Sequence, residues 1–432
     1  MDLPRTPPFA SEMLPPGLWI APLAIIHLFL AQLALGGGLL ITFFEWQAKR
    51  QGEELLREFL HRIFTTLVLI TFVSGVICGI AVWLTLALVA PRGLLLLVRE
   101  FHWLLAAAWV FLCLQVAAGT TYWMHGRFLS YRRRLAVAAA FALAAWLSLF
   151  WVNGVLSFQL TPGGWIDDGG VWAGFFNRTL WPMIAGRTIA SITVAALAAC
   201  IAAHTIGGHD PADRADIVRA ATPLLVPLLL MPGAAVWFLC VARGLRGVSV
   251  TGAGASITVV FLLAAGVSFV LGGLALITLR GRRAGLSLPA AILLLALAFI
   301  ATTATELLRE GLRKPFLVSG ALYSNGVLVE EGEELRRVGV EAFDTWPLRD
   351  EDHYPAGAVR HGRRVHRLLC AACHAPRGLN GLLHLSRRWD REMLLFNLRR
   401  LDRLKPCMPP FCGSDADLEA LADYLLWLRE EG

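Results

Sequence analysis

Eight separate runs of roughly twenty apolar residues constrain this chain more than any other feature. They cover residues 17–44, 64–88, 101–123, 135–156, 182–203, 222–241, 256–279 and 288–305. A helix advances about 1.5 Å per residue, so crossing ~30 Å of hydrocarbon takes about 20 of them. Over the full 432 residues, 56% are hydrophobic and 16% charged, against about 25% charged in soluble proteins. An ordinary soluble enzyme, a disordered chain and a disulfide-rich secreted scaffold are therefore excluded. The first run follows Pro15-Pro16, a sound helix entry. It is too long, and too plainly the first of a series, for a cleaved signal peptide. The expected fold class is all-α: an eight-span transmembrane helical bundle with a small α-helical domain at the C-terminus.

The formal charge of +7 divides unevenly. From Arg313 onward there are 18 Lys and Arg and 18 Asp and Glu, leaving 21 and 14 in the membrane part. The whole excess lies among the spans, where it reads as topology rather than as affinity for nucleic acid. Loops after the odd spans contain Lys49, Arg50, Arg57, Arg62, Arg127, Arg132, Arg133, Arg134, Arg214, Arg219, Arg280, Arg282 and Arg283. The opposite side carries Arg5, Arg92, Arg99, Arg178, Arg243 and Arg246. The positive-inside rule then puts the odd loops in the cytoplasm and both termini outside. Three regions are expected: residues 1–316 in the membrane, 317–355 as a linker, and 356–432 as the tail domain.

Four cysteines (Cys78, Cys113, Cys200, Cys240) sit singly in apolar runs, and the other four crowd into the tail. There Cys370-Ala-Ala-Cys373-His374 is the C-x-x-C-H of c-type heme attachment. Two thiols bond the heme vinyl groups, and the adjacent imidazole is placed to bind iron. A zinc site or a redox-active dithiol is the competing reading, but no second cysteine pair supplies zinc ligands. Residues 357–369 have helical character, and 415–429 place Leu418, Leu421, Ala422, Leu425 and Leu428 on one helix side. Paired terminal helices of this kind resemble the small class I cytochromes c. Between them, Lys405-Pro-Cys-Met408-Pro-Pro-Phe411 resembles that family's methionine loop and implies Met408 as the sixth ligand, with His384 and Met393 as alternatives. A thioether opposite histidine gives a low-spin iron of raised potential. Cys407 and Cys412 flank this loop, either as a disulfide or as two free thiols. Heme is attached to such motifs on the outer side of the bacterial inner (cytoplasmic) membrane. An even number of spans from an outside N-terminus delivers the tail to that periplasmic side.

Ionisable groups inside spans are functional candidates by default. His27 lies about ten residues into the first span, ~15 Å deep. His102, in Arg99-Glu100-Phe101-His102-Trp103, enters the same leaflet on the third. Either could instead be a hydrogen-bonded core histidine. Several further pieces keep a telling order: Gly36-Gly37-Gly38 and Glu45 after His27, Phe72-Val-Ser-Gly75-Val-Ile-Cys-Gly79, Trp146-Leu-Ser-Leu-Phe-Trp151-Val-Asn153-Gly154 with Gln159-Leu-Thr-Pro162, and Glu310-Gly-Leu-Arg313-Lys-Pro315-Phe316. Together, over about residues 15–320, these resemble subunit I of the cytochrome bd oxidases, with Glu310, Arg313 and Pro315 in register with that family's E-x-G-R-Q-P-W. The resemblance implies one or more heme b groups, with heme d an alternative, held by His27 and His102. It also implies a second bd-type membrane subunit as partner.

The departures form a set. The family's third-span ligand is a glutamate, for which His102 and Glu100 are the nearest candidates. Arg187 stands where the family has its low-spin heme b histidine, and span seven offers no methionine. A further span-three glutamate of the proton route is missing. The quinol loop shrinks to about residues 242–255. A tethered heme c is a sensible replacement for that lost electron entry, taking electrons from, or passing them to, a periplasmic carrier such as a soluble cytochrome c. The linker would let the tail dock on the outer face or swing. Glu306 and Glu310, one turn apart, are candidates for tuning iron or relaying protons, the competing reading being salt bridges to Arg309 or Arg313. Two functions follow: a bd-like oxidoreductase reducing oxygen or another small acceptor, or a non-catalytic relay subunit. A transporter with a fused cytochrome has no broken spans or inverted repeat behind it. No phosphate loop, hydrolase triad or dinucleotide fingerprint is present.

Overall fold

The structure is a computed structural model describing residues 3–9, 11–51, 54–65, 69–206, 210–243, 255–280, 286–349 and 351–431. Arg246 and most of the shortened 242–255 loop lie outside the described residues, as do Arg282 and Arg283. The membrane part comprises α1 (Gly17–Gln51), α2 (Glu54–Ile63), α3 (Leu69–Val89), α4 (Pro91–His125), α5 (Tyr131–Leu160), two short turns α6 (Trp165–Asp168) and α7 (Val171–Phe175), α8 (Leu180–Thr205), α9 (Pro211–Ala221), α10 (Met231–Arg243), α11 (Ala255–Arg280) and α12 (Leu288–Arg313). A 3₁₀ stretch, Thr222–Leu230, joins α9 to α10. Among the described residues, seven helices are long and apolar enough to cross a membrane. The apolar stretch Leu262–Ile277 within α11 occupies the place of the remaining expected span.

Prolines stand in the first turns of α4, α9 and α12, where the missing N–H costs nothing. α2 is different in kind. It buries Leu56, Phe59, Leu60 and Ile63 on one face and carries Glu54, Arg57, Glu58 and Arg62 elsewhere, so it lies against the bundle end rather than crossing. Close packing is set by small residues. A Cβ on Gly36 would stand 1.9 Å from the Ser191 carbonyl oxygen, so α1 and α8 touch backbone to backbone there. Phe141 fills the space left by Gly38 and Gly119. At this end of the bundle buried Glu45 is ion-paired with Arg134, Nε to Oε1 2.7 Å, and accepts a hydrogen bond from the Tyr122 hydroxyl at 2.8 Å.

The chain continues through a hairpin of β1 (Phe316–Val318) and β2 (Leu322–Tyr323), then α13 (Gly332–Val338) and α14 (Val340–Phe343). The tail domain follows as α15 (Ala358–Leu369), α16 (Leu382–Leu385), α17 (Arg391–Leu398), α18 (Leu401–Leu404) and α19 (Asp415–Glu430). α15 and α19 cross at Gly362, where a Cβ would lie 2.0 Å from the Ala420 carbonyl oxygen. Ser414 caps α19 reciprocally with Asp417, satisfying two first-turn donors.

Residues 317–355 are not the free connector that their length allows. Val318, Leu322 and Leu328 sit in the apolar cluster at the bundle's end with Leu96, Phe101, Phe158 and Phe175. Val327, Leu335, Val340, Phe343 and Tyr354 belong to the core of the tail domain. The segment therefore contributes to two cores at once, which is why it folds. Buried Arg92 fixes the junction with a two-pronged bond to Glu331, at 2.8 and 2.7 Å, and a third bond to the Gly326 carbonyl at 2.6 Å. The N-terminal segment adds Arg5, which pairs with Glu334 at 3.1 Å and lies 4.0 Å over the Phe343 ring.

Candidate functional site: a heme-binding motif docked on a membrane bundle

α15 ends in the C-x-x-C-H motif. The Cys370 and Ala371 N–H groups both donate to the His366 carbonyl, and the Cys373 and His374 N–H groups both donate to the Cys370 carbonyl. This tight turn holds both thiols and the imidazole on one short loop. The His374 ring is then oriented from outside the motif. Its Nδ1 donates to the Asn380 carbonyl at 3.1 Å, while the Asn380 side-chain amide donates to the Cys373 carbonyl at 2.8 Å. Asn380 adopts φ 55°, a left-handed position that asparagine tolerates. With Nδ1 committed, Nε2 keeps its lone pair, the arrangement that metal-binding histidines use. Burial lowers the His374 pKa, opposed by the Asn380 carbonyl and assisted by nearby Lys405, so the ring is neutral near pH 7.

Met408 is half-buried on the loop between α18 and α19, its N–H donating to the Lys405 carbonyl at 2.9 Å. Cys407 is exposed, Cys412 is buried with its thiol on the Pro410 carbonyl, and both are free. His384 and Met393, the competing sixth ligands, are exposed on α16 and α17. Two thiols, a neutral imidazole and a thioether on a separate loop are a donor set that fits heme c. Asn380 escapes sequence inspection, although Gly378-Leu-Asn380-Gly381 is a turn composition.

In the bundle, half-buried His27 of α1 faces α3. Its Nδ1 meets the Gly75 carbonyl at 3.0 Å, and its ring fills the space beside Gly79, where a Cβ would lie 3.0 Å from Cε1. The same logic as at His374 leaves Nε2 free. His102 lies one residue past a kink in α4 at Phe101. It is exposed on the bundle surface, with Nδ1 on the Arg99 carbonyl of its own helix at 3.1 Å. Glu100 accepts from the Trp165 indole at 3.1 Å. The structure thus places His27 between two helices and His102 on an outward face.

Glu306 and Glu310 are both ion-paired. Glu306 holds Arg309 at 2.6 Å and Arg187, across from α8, at 3.3 Å. Glu310 pairs with Arg313 and lies 3.9 Å from Arg309 and 3.8 Å from Lys314. The Arg309 and Arg313 pairs lie within α12, at i,i+3 spacing that the sequence already offers. Arg187, which stands at the family's low-spin heme position, pairs with Glu306 and makes the network bridge two helices. One turn deeper, Thr302 donates to Gln32 of α1 at 3.3 Å.

These features define a class: a helical membrane bundle with a cytochrome c domain bolted to one end, that is, a heme-containing membrane redox protein. Comparison with known proteins agrees in both parts. Residues 357–425 match the family described as cytochrome C oxidase, cbb3-type, subunit III. The bundle has the fold of a bd oxidase. The structure of bd oxidase from Geobacillus thermodenitrificans aligns with a TM-score of 0.60 and 17% identity, covering 72% of this chain and 90% of that one. No curated protein matches the chain.

Proposed function

We propose that this protein passes electrons between a heme c and one or more hemes in the bundle, as a bd-like reductase of oxygen or another small acceptor. Cys370 and Cys373 carry the heme c covalently, and His374 and Met408 are its iron ligands. His27 is the first choice for a membrane heme ligand and His102 the second. When bound, the hemes supply the one-electron chemistry, and the chain supplies ligands, orientation and exclusion of water. The carrying observation is that the cytochrome domain is docked, through residues 317–355 and Arg92, on the bundle end where α1 and the segment of α4 bearing His102 enter. A carrier docked on the bundle takes the place of a quinol entry. The charge asymmetry of the loops supports placing that end on the periplasmic side of a bacterial inner membrane. A second bd-type subunit and a soluble cytochrome c are the expected partners.

The test is a reduced-minus-oxidised spectrum with heme extraction on the purified full chain and any co-purifying subunit. The expected result is heme c plus a non-covalent b- or d-type heme, with oxygen uptake from reduced cytochrome c. His27→Ala should retain heme c and lose the non-covalent signal and the uptake together. Heme c alone, with no uptake, overturns catalysis.

A second reading, a non-catalytic relay between a membrane complex and periplasmic carriers, is favoured by the ion pairing of Glu306 and Glu310. Both carboxylates are held by arginines, so neither is free to carry protons or ligate iron without breaking an ion pair. Under that reading His27→Ala leaves electron transfer through heme c intact.

A further inference from the structure

We propose that Glu12 and Met13, in the N-terminal segment ahead of α1, are positioning residues of the heme c site that hold the turn orienting His374. This rests on the reading of His374 as an iron ligand.

The segment grips both sides of the C-x-x-C-H motif. On one side, the Glu12 and Met13 carbonyls accept the Arg377 and Leu379 N–H groups at 3.0 and 3.1 Å. Gly378, between those donors, has φ 71° and lies flat on the segment, a Cβ there standing 2.4 Å from the Met13 carbonyl oxygen. The next residues complete the turn with Asn380, whose carbonyl takes the His374 Nδ1 proton. On the other side, the Glu12 carboxylate receives Arg363 Nη2 at 2.7 Å and the Tyr354 hydroxyl at 3.4 Å. Arg363 also reaches the Tyr354 hydroxyl at 2.9 Å and His366 Nδ1 at 2.9 Å. It stands on α15, the helix that ends at Cys370. One residue thus ties helix and turn together, and α1 begins five residues later at Gly17 and carries His27.

A backbone acceptor on a ligating histidine raises its basicity, which favours the ferric state. Loosening the turn weakens that acceptor and shifts the heme c toward the ferrous state. The cytochrome domain therefore borrows part of its ligand support from the membrane part of the chain.

The test is redox titration of the heme c band in the full-length protein, with heme staining after denaturing electrophoresis as the control for covalent attachment. Glu12→Ala should keep the covalent heme and shift the reduction equilibrium about threefold toward ferrous, about 28 mV at 59 mV per decade. Glu12→Gln keeps an acceptor oxygen and should titrate as wild type. Arg363→Met, which removes the grip from the other side, should reproduce the Glu12→Ala shift. Covalent heme with unchanged titration in Glu12→Ala and Arg363→Met overturns the positioning role. A wild-type chain without covalent heme overturns the underlying assignment of the motif instead.

Discussion

Replacing Glu331 by glutamine should loosen the joint between cytochrome domain and bundle. Arg92 and Glu331 are 5% and 11% exposed in their side chains. Glu331→Gln removes the carboxylate charge and leaves the buried Arg92 guanidinium with neutral acceptors only, the new amide oxygen and the Gly326 and Leu3 carbonyls. Breaking one side of a buried pair costs about 3–5 kcal/mol, because an uncompensated charge stays behind. At about 1.4 kcal/mol per decade, local opening should rise on the order of 10²–10³-fold. Hydrogen exchange of amides in β1, β2 and α13 reads this directly, since opening governs their protection. The double variant Arg92→Met/Glu331→Met removes both charges and should recover most of the lost protection, as apolar replacements of buried pairs do. Unchanged exchange in Glu331→Gln would refute the argument. Equal loss in the double variant would show that packing, rather than charge, holds the joint.

Three further outcomes follow from the tail domain. His361 Nε2 lies 2.7 Å from Asp417 Oδ1, and that hydrogen bond raises the His361 pKa against the effect of burial. Asp417 is pushed up by burial, but hydrogen bonds from His361, Ser414 and the Val340 N–H outweigh this and hold its pKa below the ordinary value. The Asp417 contribution is present above about pH 3.9 and lost as pH falls through its lowered pKa; the His361 contribution is full below about pH 6.5 and lost as pH rises through its raised one. Unfolding of the full chain followed at the heme c band should be hardest between those limits, and His361→Asn should flatten the upper side; an unchanged upper limb would refute the assignment. Gly362→Ala forces α15 and α19 apart at the Ala420 carbonyl and should cost at least about 1–3 kcal/mol, as overpacking does, seen as reduced heme c yield in membranes; normal yield and stability would contradict the crossing geometry. Met408→Ala should lower the heme c potential and give a high-spin spectrum, and a retained low-spin spectrum would point to His384 or Met393 instead.

How much of this was legible in the sequence varies by element. The entry of α1 at Gly17 and of α12 at Leu288 can be read directly, because apolar runs behind proline or serine define membrane helices locally. The cytochrome c domain is legible from five consecutive residues, since attachment chemistry demands that spacing. The packed state of residues 317–355 is not, because a polar segment with scattered Val, Leu and Phe folds only where two cores receive those side chains. His27 and His102 look equivalent as a sequence, and the helix rotation that turns one inward and leaves the other exposed is a property of packing.

The sequence alone therefore determined the all-α class, the run of membrane spans and the presence of a heme-carrying tail, all of which rest on local hydropathy and contiguous motifs. Tertiary structure decided what those parts do to one another. It brings Arg187 to Glu306 over 119 positions, Arg92 to Glu331 over 239 and Arg363 to Glu12 over 351. No local pattern encodes such pairs, because a long charged side chain is satisfied by any opposite charge that folding brings within reach. Which one it meets is fixed by helix crossings set at residues such as Gly36 and Gly362.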